Sequence, residues 1–510
     1  MSEATQEGSQ LETKRVVVVG SGIGGSGVAA LLQSRGHEVV LLERNPVPGG
    51  KCWGFEKDGY LVDSGVHMFS MGPMGPHGEI DRLVGGDMQW LRKNPGSTFH
   101  VRNGFDIQYY QSQKSLRALL QFPTGTVREY VHNRTAASGG SSETRLKKAV
   151  RELRGVSGRP DFAGIVRTMT GLVKRKDVFI DDLDEMTTFE FLSRFTDSEL
   201  LHKSFACCSM ILLLVPYTQS SAGELMWCVS NMAEKEFLSV PRGGSREMPG
   251  SWLRSFERNG GEVVLGAEVE TILVKDGKAT GVVTSDGREF AADVVVSNAG
   301  IKRTVAMVPD GTLPASYVES SSALDESYSF VTVKYGLGRA AVDVKAPCYF
   351  NIPDVDPLSA FDYIDAGGAP EDPFLFVPVV TEWDAKAAPN GKQLVIMGAP
   401  GPSKVDDATV AQCERILDRA EEKLFDLFPA LEKNIEWRMR TTIRDTGRLT
   451  GKPTGECIGL AQKVGQTGIH KPSVITPVEG LFLVGCDAGA RGVGTEQAAG
   501  SALYLTGLLS

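Results

Sequence analysis

Residues 15–50 constrain the fold most. An apolar run, Val16-Val17-Val18-Val19, leads into Gly20-Ser21-Gly22-Ile23-Gly24-Gly25, and a helical stretch then runs to Val39-Val40-Leu41-Leu42 and Glu43. This is the strand, glycine loop, helix and strand of a unit that binds a dinucleotide. Gly20 suits a tight turn, Gly22 lets backbone approach a pyrophosphate, and Gly25 lets helix pack on strand. The helix N-terminus presents unpaired N–H groups and a positive dipole end to anionic oxygen. Glu43, 18 residues past Gly25, is placed to accept from ribose hydroxyls.

At 510 residues the chain exceeds one ordinary core, so two or three structural regions are expected. A net charge of −9 argues against nucleic acid as the main partner. The eight cysteines include no CxxC pair, so neither a metal site nor a disulfide framework is indicated. The polar first 13 residues carry no apolar signal core, and no apolar run approaches a membrane span. The expected compartment is the cytoplasm, with peripheral membrane contact left open. Residues 145–176 hold ten basic and two acidic side chains, with Ile165, Val166, Met169, Leu172 and Val173 interleaved. Such a run reads either as a solvated helix face or as a helix lying on anionic lipid.

Farther along, residues 71–86 read as loop and residues 188–236 as helical, with Met210 to Val215 a buried helix segment. Residues 262–265, 268–275, 279–285 and 288–290, separated by Asp-Gly turns, read as a β-meander. Residues 293–297 return to a buried parallel sheet, and 329–337, 374–381 and 393–398 suggest further strands. Residues 410–427 read as an amphipathic helix, and the chain ends in a strand at 480–485 and a helix at 495–509.

Further motifs extend the first unit: Pro48-Gly49-Gly50-Lys51, residues 62–69, Pro241-Arg242-Gly243-Gly244, Gly260-Gly261 with Val269-Glu270-Thr271-Ile272, residues 292–299, and Gly485 to Glu496. With these the chain resembles the amine-oxidase superfamily of FAD enzymes, and within it the phytoene desaturase, carotenoid isomerase and retinol saturase branch. The resemblance implies an α/β fold: a discontinuous Rossmann-type, glutathione-reductase-like FAD domain with an inserted α+β substrate domain. The FAD domain would comprise residues 14–75, 237–320 and 450–510, and the substrate domain 76–236 and 321–449, including membrane-contacting helices at 144–176.

The resemblance also assigns roles. Gly20, Gly22, Ile23, Gly24 and Gly25 would meet the pyrophosphate, Glu43 and Arg44 the adenosine side, and Gly49, Gly50 and Lys51 the ribityl and phosphate region. Val269 would contact adenine through its backbone. Asp487 would bond ribityl or phosphate-side hydroxyls, and Gly494, Thr495 and Glu496 would set a helix N-terminus against the flavin pyrimidine ring. Relatives place an acid directly after the Val-Gly pair, whereas Cys486 intervenes here, read as a small buried thiol rather than a covalent flavin link. The motifs identify no catalytic dyad; His67 and Glu496 are the catalytic candidates. Trp53, Phe55 and Tyr60 read as core or as tunnel lining.

The resemblance implies FAD-dependent redox chemistry at a carbon–carbon bond of an apolar polyene or isoprenoid-like substrate. Only Gly336-Leu337-Gly338 hints at a second glycine loop, so electrons would pass to oxygen or a quinone rather than to a nicotinamide. Cis–trans isomerisation or saturation of the same substrate class is the nearest alternative. Amine oxidation would call for an aromatic cage and a lysine that the motifs do not identify. A non-catalytic prenyl-protein-binding module, like the GDP-dissociation inhibitors, would have no use for intact flavin motifs.

Overall fold

The computed structural model describes residues 12–65, 69–101, 105–109, 180–197, 199–234, 238–353 and 361–509. His67 and the basic stretch at 144–176 lie outside them.

The Val-rich run forms the strand Arg15–Val19 at the centre of a five-stranded parallel sheet. Across this sheet the order is Leu481–Leu483, Val294–Ser297, Arg15–Val19, Glu38–Glu43 and Glu262–Leu265. The register pairs Val17 with Val295 on one side and with Val40 on the other. Apolar residues on successive positions suit strands buried on both faces. One face packs on the helices Ile23–Ser34, Glu247–Arg258 and Gly494–Leu508 through Val28, Leu31, Trp252, Phe256 and Ala502. The other rests on Ile272, Ala279 and Val282, from the antiparallel sheet Val269–Lys275, Lys278–Thr284 and Glu289–Ala291.

Two expectations change. Residues 262–265 do not join the meander: their strand pairs in parallel with Glu38–Glu43, Leu41 opposite Val263. Turn residues on both sides of so short a run do not say which sheet it enters; the register with a distant strand does. Residues 71–86 are not all loop, because Pro76–Val84 is a helix with proline in its first turn and Gly85 at φ 67° closing it. Buried Ile80 and Val84 give it an apolar face that interleaved glycine and proline obscure.

The second large sheet has seven strands, in the order Ile435–Thr441, Ser329–Leu337, Gln393–Gly401, Leu375–Pro378, Cys348–Ile352, Ser97–Val101 and Phe105–Tyr109. Its core includes Val331, Val333, Tyr335, Val395 and Met397, and reaches Cys413, Leu417 and Leu424 of the amphipathic helix Asp407–Leu427. The helical region resolves into Thr188–Ser193, Glu199–Leu213 and Ala222–Glu234. Among the described residues no helix is long and apolar enough to cross a membrane.

Candidate active site

A single cavity of about 680 Å³ runs from the edge of the parallel sheet to the seven-stranded sheet. That is within the size range of small-molecule sites. Its first half is built by the glycine loop. Gly20 takes φ 91° and donates its N–H to the Leu42 carbonyl at 2.7 Å, turning the chain sharply between strand and helix. A Cβ on Gly25 would fall 1.8 Å from the Gly20 carbonyl oxygen, so only glycine allows this helix to start so close to the loop.

The helix Ile23–Ser34 begins without a side-chain cap and without an acid in its first turn. Its free N–H groups stand at a wall that includes Gly22, Ile23 and Gly24. The C-terminal helix Gly494–Leu508 also starts without a side-chain cap, at a wall that includes Gly494, Thr495 and Glu496. Two open positive helix ends in one cavity are suited to anionic or electron-rich groups.

Glu43 is buried at the end of its strand. Its carboxylate accepts from the Ser21 N–H (2.9 Å) and hydroxyl (2.5 Å), and from the Asn45 N–H (2.8 Å) and side-chain amide (2.9 Å). These bonds fix the carboxylate at the cavity edge beside Arg44, Val269 and Gly49.

Of the sequence-predicted positions, Gly20, Gly22, Ile23, Gly24, Glu43, Arg44, Gly49, Gly50, Lys51, Val269, Asp487, Gly494, Thr495 and Glu496 all reach the wall. Gly25 does not: it stands behind the loop, where it serves packing rather than ligand contact. Glu496 is bonded to the Ser70 N–H (2.7 Å) and hydroxyl (3.0 Å), so it anchors the chain that follows residues 66–68. Trp53 and Phe55 line the cavity, stacked with ring centroids 5.2 Å apart. Tyr60 does not; it is fully buried and donates to Leu337 O at 3.0 Å. Arg242 is likewise absent from the wall.

Several contributors carried no motif. Glu456, with no exposure, accepts from Lys51 and from Lys452, each at 2.8 Å. Burial raises its pKa, but Lys452 and Lys51 outweigh that and hold it at about 2. Lys452 also approaches Asp487 at 3.4 Å, and Asp487 in turn accepts from the Ile301 N–H at 3.1 Å, at the start of the helix Ile301–Met307. Beside it, burial and then Asp487 push the Cys486 thiol up, leaving little thiolate for chemistry.

On the far side Glu224 accepts from the Gly492 N–H at 2.6 Å and lies 3.6 Å from Lys471 and 3.8 Å from Arg491. Arg491 also bonds Asp181 at 2.6 Å and Asp184 at 2.5 Å. Helices at 180–183 and 222–234 thereby hold the glycine stretch that opens the C-terminal helix. Asn298 donates to Gly20 O at 3.4 Å and sits against Gly24 and Gly485, joining both ends of the chain.

The second half of the cavity is apolar. Leu212, Leu214, Trp227, Phe330, Phe374 and Met439 contribute, and Phe350 stacks on Phe376 with centroids 4.7 Å apart. Within this wall stands Lys334, with no exposure.

A profile of flavin-containing amine oxidoreductases matches residues 27–504. The chain belongs to that family. As a flavin-containing amine oxidoreductase it takes FAD as cofactor, and the donors in the first half of the cavity suit a diphosphate-linked dinucleotide. The chain is 26% identical to a zeta-carotene-forming phytoene desaturase of Myxococcus xanthus, over 92% of this chain and 89% of that one. It is 24% identical to the chloroplastic prolycopene isomerase of Arabidopsis thaliana, over 92% and 78% respectively. A solved oxidoreductase from Methanosarcina mazei shares the fold, with a TM-score of 0.69, 21% identity and coverage of 97% and 100%.

Sequence signals for three of the added residues existed. Lys334 is a lysine inside an otherwise apolar strand, and Lys452 and Glu456 flank the turn-like Pro453-Thr454-Gly455. Neither pattern says which cavity it faces.

Proposed function

We propose that this flavoenzyme carries out redox chemistry at a carbon–carbon bond of an apolar polyene or isoprenoid-like substrate, as a desaturase. The observation that carries this reading is the continuity of the cavity. The glycine loop and two open helix ends lie at one end, and an aromatic and aliphatic channel at the other. Similarity to a phytoene desaturase and a prolycopene isomerase, both named for polyenes, supports the same substrate class.

Bound FAD supplies an acceptor for the hydride of an allylic C–H. The protein's part is positioning and exclusion of water. Gly22, Ile23 and Gly24 would hold the pyrophosphate, Glu43 the ribose, and Asp487 the ribityl side. Val493 and Gly494 begin a helix whose positive end would stabilise negative charge developing on the pyrimidine ring. Lys51 would act on the phosphate and ribityl side through the pair it makes with Glu456. Phe330, Phe350, Phe374 and Phe376 would keep the reacting carbons dry and aligned.

Electrons would leave to oxygen or a quinone. Residues 144–176 would bring the protein to anionic lipid, where such substrates dissolve. Salt-sensitive sedimentation with anionic liposomes is the expected result for that contact, and its absence would remove it.

Anaerobic mixing of FAD-loaded protein with candidate polyenes tests the chemistry. Bleaching of the flavin absorbance is expected. Product formed only after chemical reduction of the flavin would reassign the enzyme as an isomerase or saturase, a reading favoured by the prolycopene isomerase similarity.

A further inference from the structure

The cavity wall carries six cationic side chains among the described residues, and five of them are matched by acids. Arg44 and Arg303 lie 3.7 and 3.8 Å from Glu268. Lys51 and Lys452 share Glu456 at 2.8 Å each. Arg440 pairs with Glu414 at 2.8 Å, Asp418 at 2.7 Å and Glu421. Lys334 is the exception: among the described residues no carboxylate lies within ion-pair distance of it. Its nitrogen donates to the hydroxyls of Thr332 at 2.8 Å and Thr441 at 2.5 Å.

An ammonium has three N–H donors and no acceptor. Two are taken by threonines on neighbouring strands, Thr332 facing Thr441 in the register. These two bonds hold the amine in place on the seven-stranded sheet, and its third donor remains for the cavity. A fully buried charge without a counter-ion is costly unless a ligand completes it. Burial accordingly pushes this amine down to about 7, against the pull of Asp445 and then Asp63. Asp445 is itself engaged by the Thr442 N–H at 2.8 Å, and Asp63 by the Ser245 hydroxyl at 2.8 Å, so neither is free to approach.

From this geometry we infer that Lys334 is the recognition point for a polar end of the substrate: the polyene carries a carboxylate or carbonyl oxygen that accepts from the Lys334 nitrogen, while Phe330, Phe350 and Phe376 enclose its hydrocarbon. The inference rests on the polyene reading of the cavity and narrows it from pure hydrocarbons to oxygenated ones. A hydrocarbon in the same position would leave the third donor buried and unpaired, so discrimination follows from the penalty on the wrong ligand as much as from the bond to the right one.

The test uses the FAD-loaded protein and two probes: retinoic acid, and the hydrocarbon in which a methyl group replaces its carboxyl. Binding is read from quenching of tryptophan fluorescence, since Trp227 lines the cavity, with the visible flavin spectrum reporting that the cofactor stays in place. The acid is expected to bind the unaltered protein about ten- to a hundredfold tighter than the hydrocarbon. Lys334→Met, similar in length and apolar, is expected to remove that preference by weakening acid binding and tightening hydrocarbon binding, with the flavin spectrum intact. Equal affinity for the two probes in the unaltered protein, or an acid preference that survives in Lys334→Met, overturns the inference and leaves the polyene reading standing. Binding of neither probe overturns the polyene reading itself, and the inference with it.

Discussion

Glu456 and Lys334 are opposite solutions to a buried charge. Glu456 has two cationic partners, and replacing it by glutamine removes the carboxylate that Lys51 and Lys452 share and leaves Lys452 with Asp487 alone, at 3.4 Å. Glu456→Gln should destabilise the protein by about 3–5 kcal/mol in denaturant melts near neutral pH. The carboxyl sits at about 2 in the folded chain against 4.5 ordinarily. Its contribution is therefore complete above about pH 4.5 and is lost as pH falls toward 2. The difference between native and variant proteins should narrow over that interval, and a constant difference would contradict the pairing.

For Lys334 the charged form is the destabilising one. Its folded value of about 7 lies below the ordinary 10.5. Between these values the unfolded chain binds the extra proton, so stability rises with pH. Lys334→Met should raise the unfolding midpoint in the absence of substrate, most below about pH 7, with the gain shrinking toward pH 10.5. A drop in midpoint would show that the two threonine bonds outweigh the cost of burial. Both residues escaped reading from the sequence for the same reason. An isolated lysine or glutamate has no spacing that announces its partner, and here Lys51 and Glu456 are 405 positions apart.

At the scale of elements, the strand and helix that open the chain were legible because their signals are local: a run of valines, glycines at fixed offsets, and an acid at the end of the next strand. Gly25→Val tests the packing part of that reading. With a Cβ placed 1.8 Å from the Gly20 carbonyl, the helix must withdraw, and the purified protein should lose its visible flavin absorbance. Flavin bound as in the native protein would refute the close approach.

The C-terminal helix depends on a contact that no motif records. Glu224→Ala removes the acceptor of the Gly492 N–H and leaves Lys471 and Arg491 short of an acid. FAD affinity should fall about tenfold, as for a lost hydrogen bond to a charged group. Equilibrium dialysis would measure it, and unchanged affinity would separate this clamp from the cofactor site. The helix at 76–84 and the strand at 262–265 were misread because glycine and proline mask a short amphipathic face, and because a four-residue strand carries no mark of the sheet that receives it.

Over the whole molecule, one parallel sheet gathers strands from residues 15–43, 262–265, 294–297 and 481–483, and the cavity lies where they meet the seven-stranded sheet. A ligand that contacts so many separate segments should stabilise them together. FAD at about 100 times its dissociation constant should add about 2.7 kcal/mol to the stability of the apoprotein, seen as one shifted thermal transition. A shift confined to one of two separate transitions would mean that the two sheets unfold independently.

By itself the sequence determined the dinucleotide unit and, through the resemblance of its ordered motifs, the flavin and the discontinuous fold, because those signals are contiguous or keep a family order. Only the tertiary structure decided which charges neutralise one another, that the glycine loop and the aromatic wall share one cavity, and that Lys334 stands in that wall with no carboxylate of the described residues within ion-pair distance. Those properties depend on distances between residues hundreds of positions apart, and on the water that folding removes from around them.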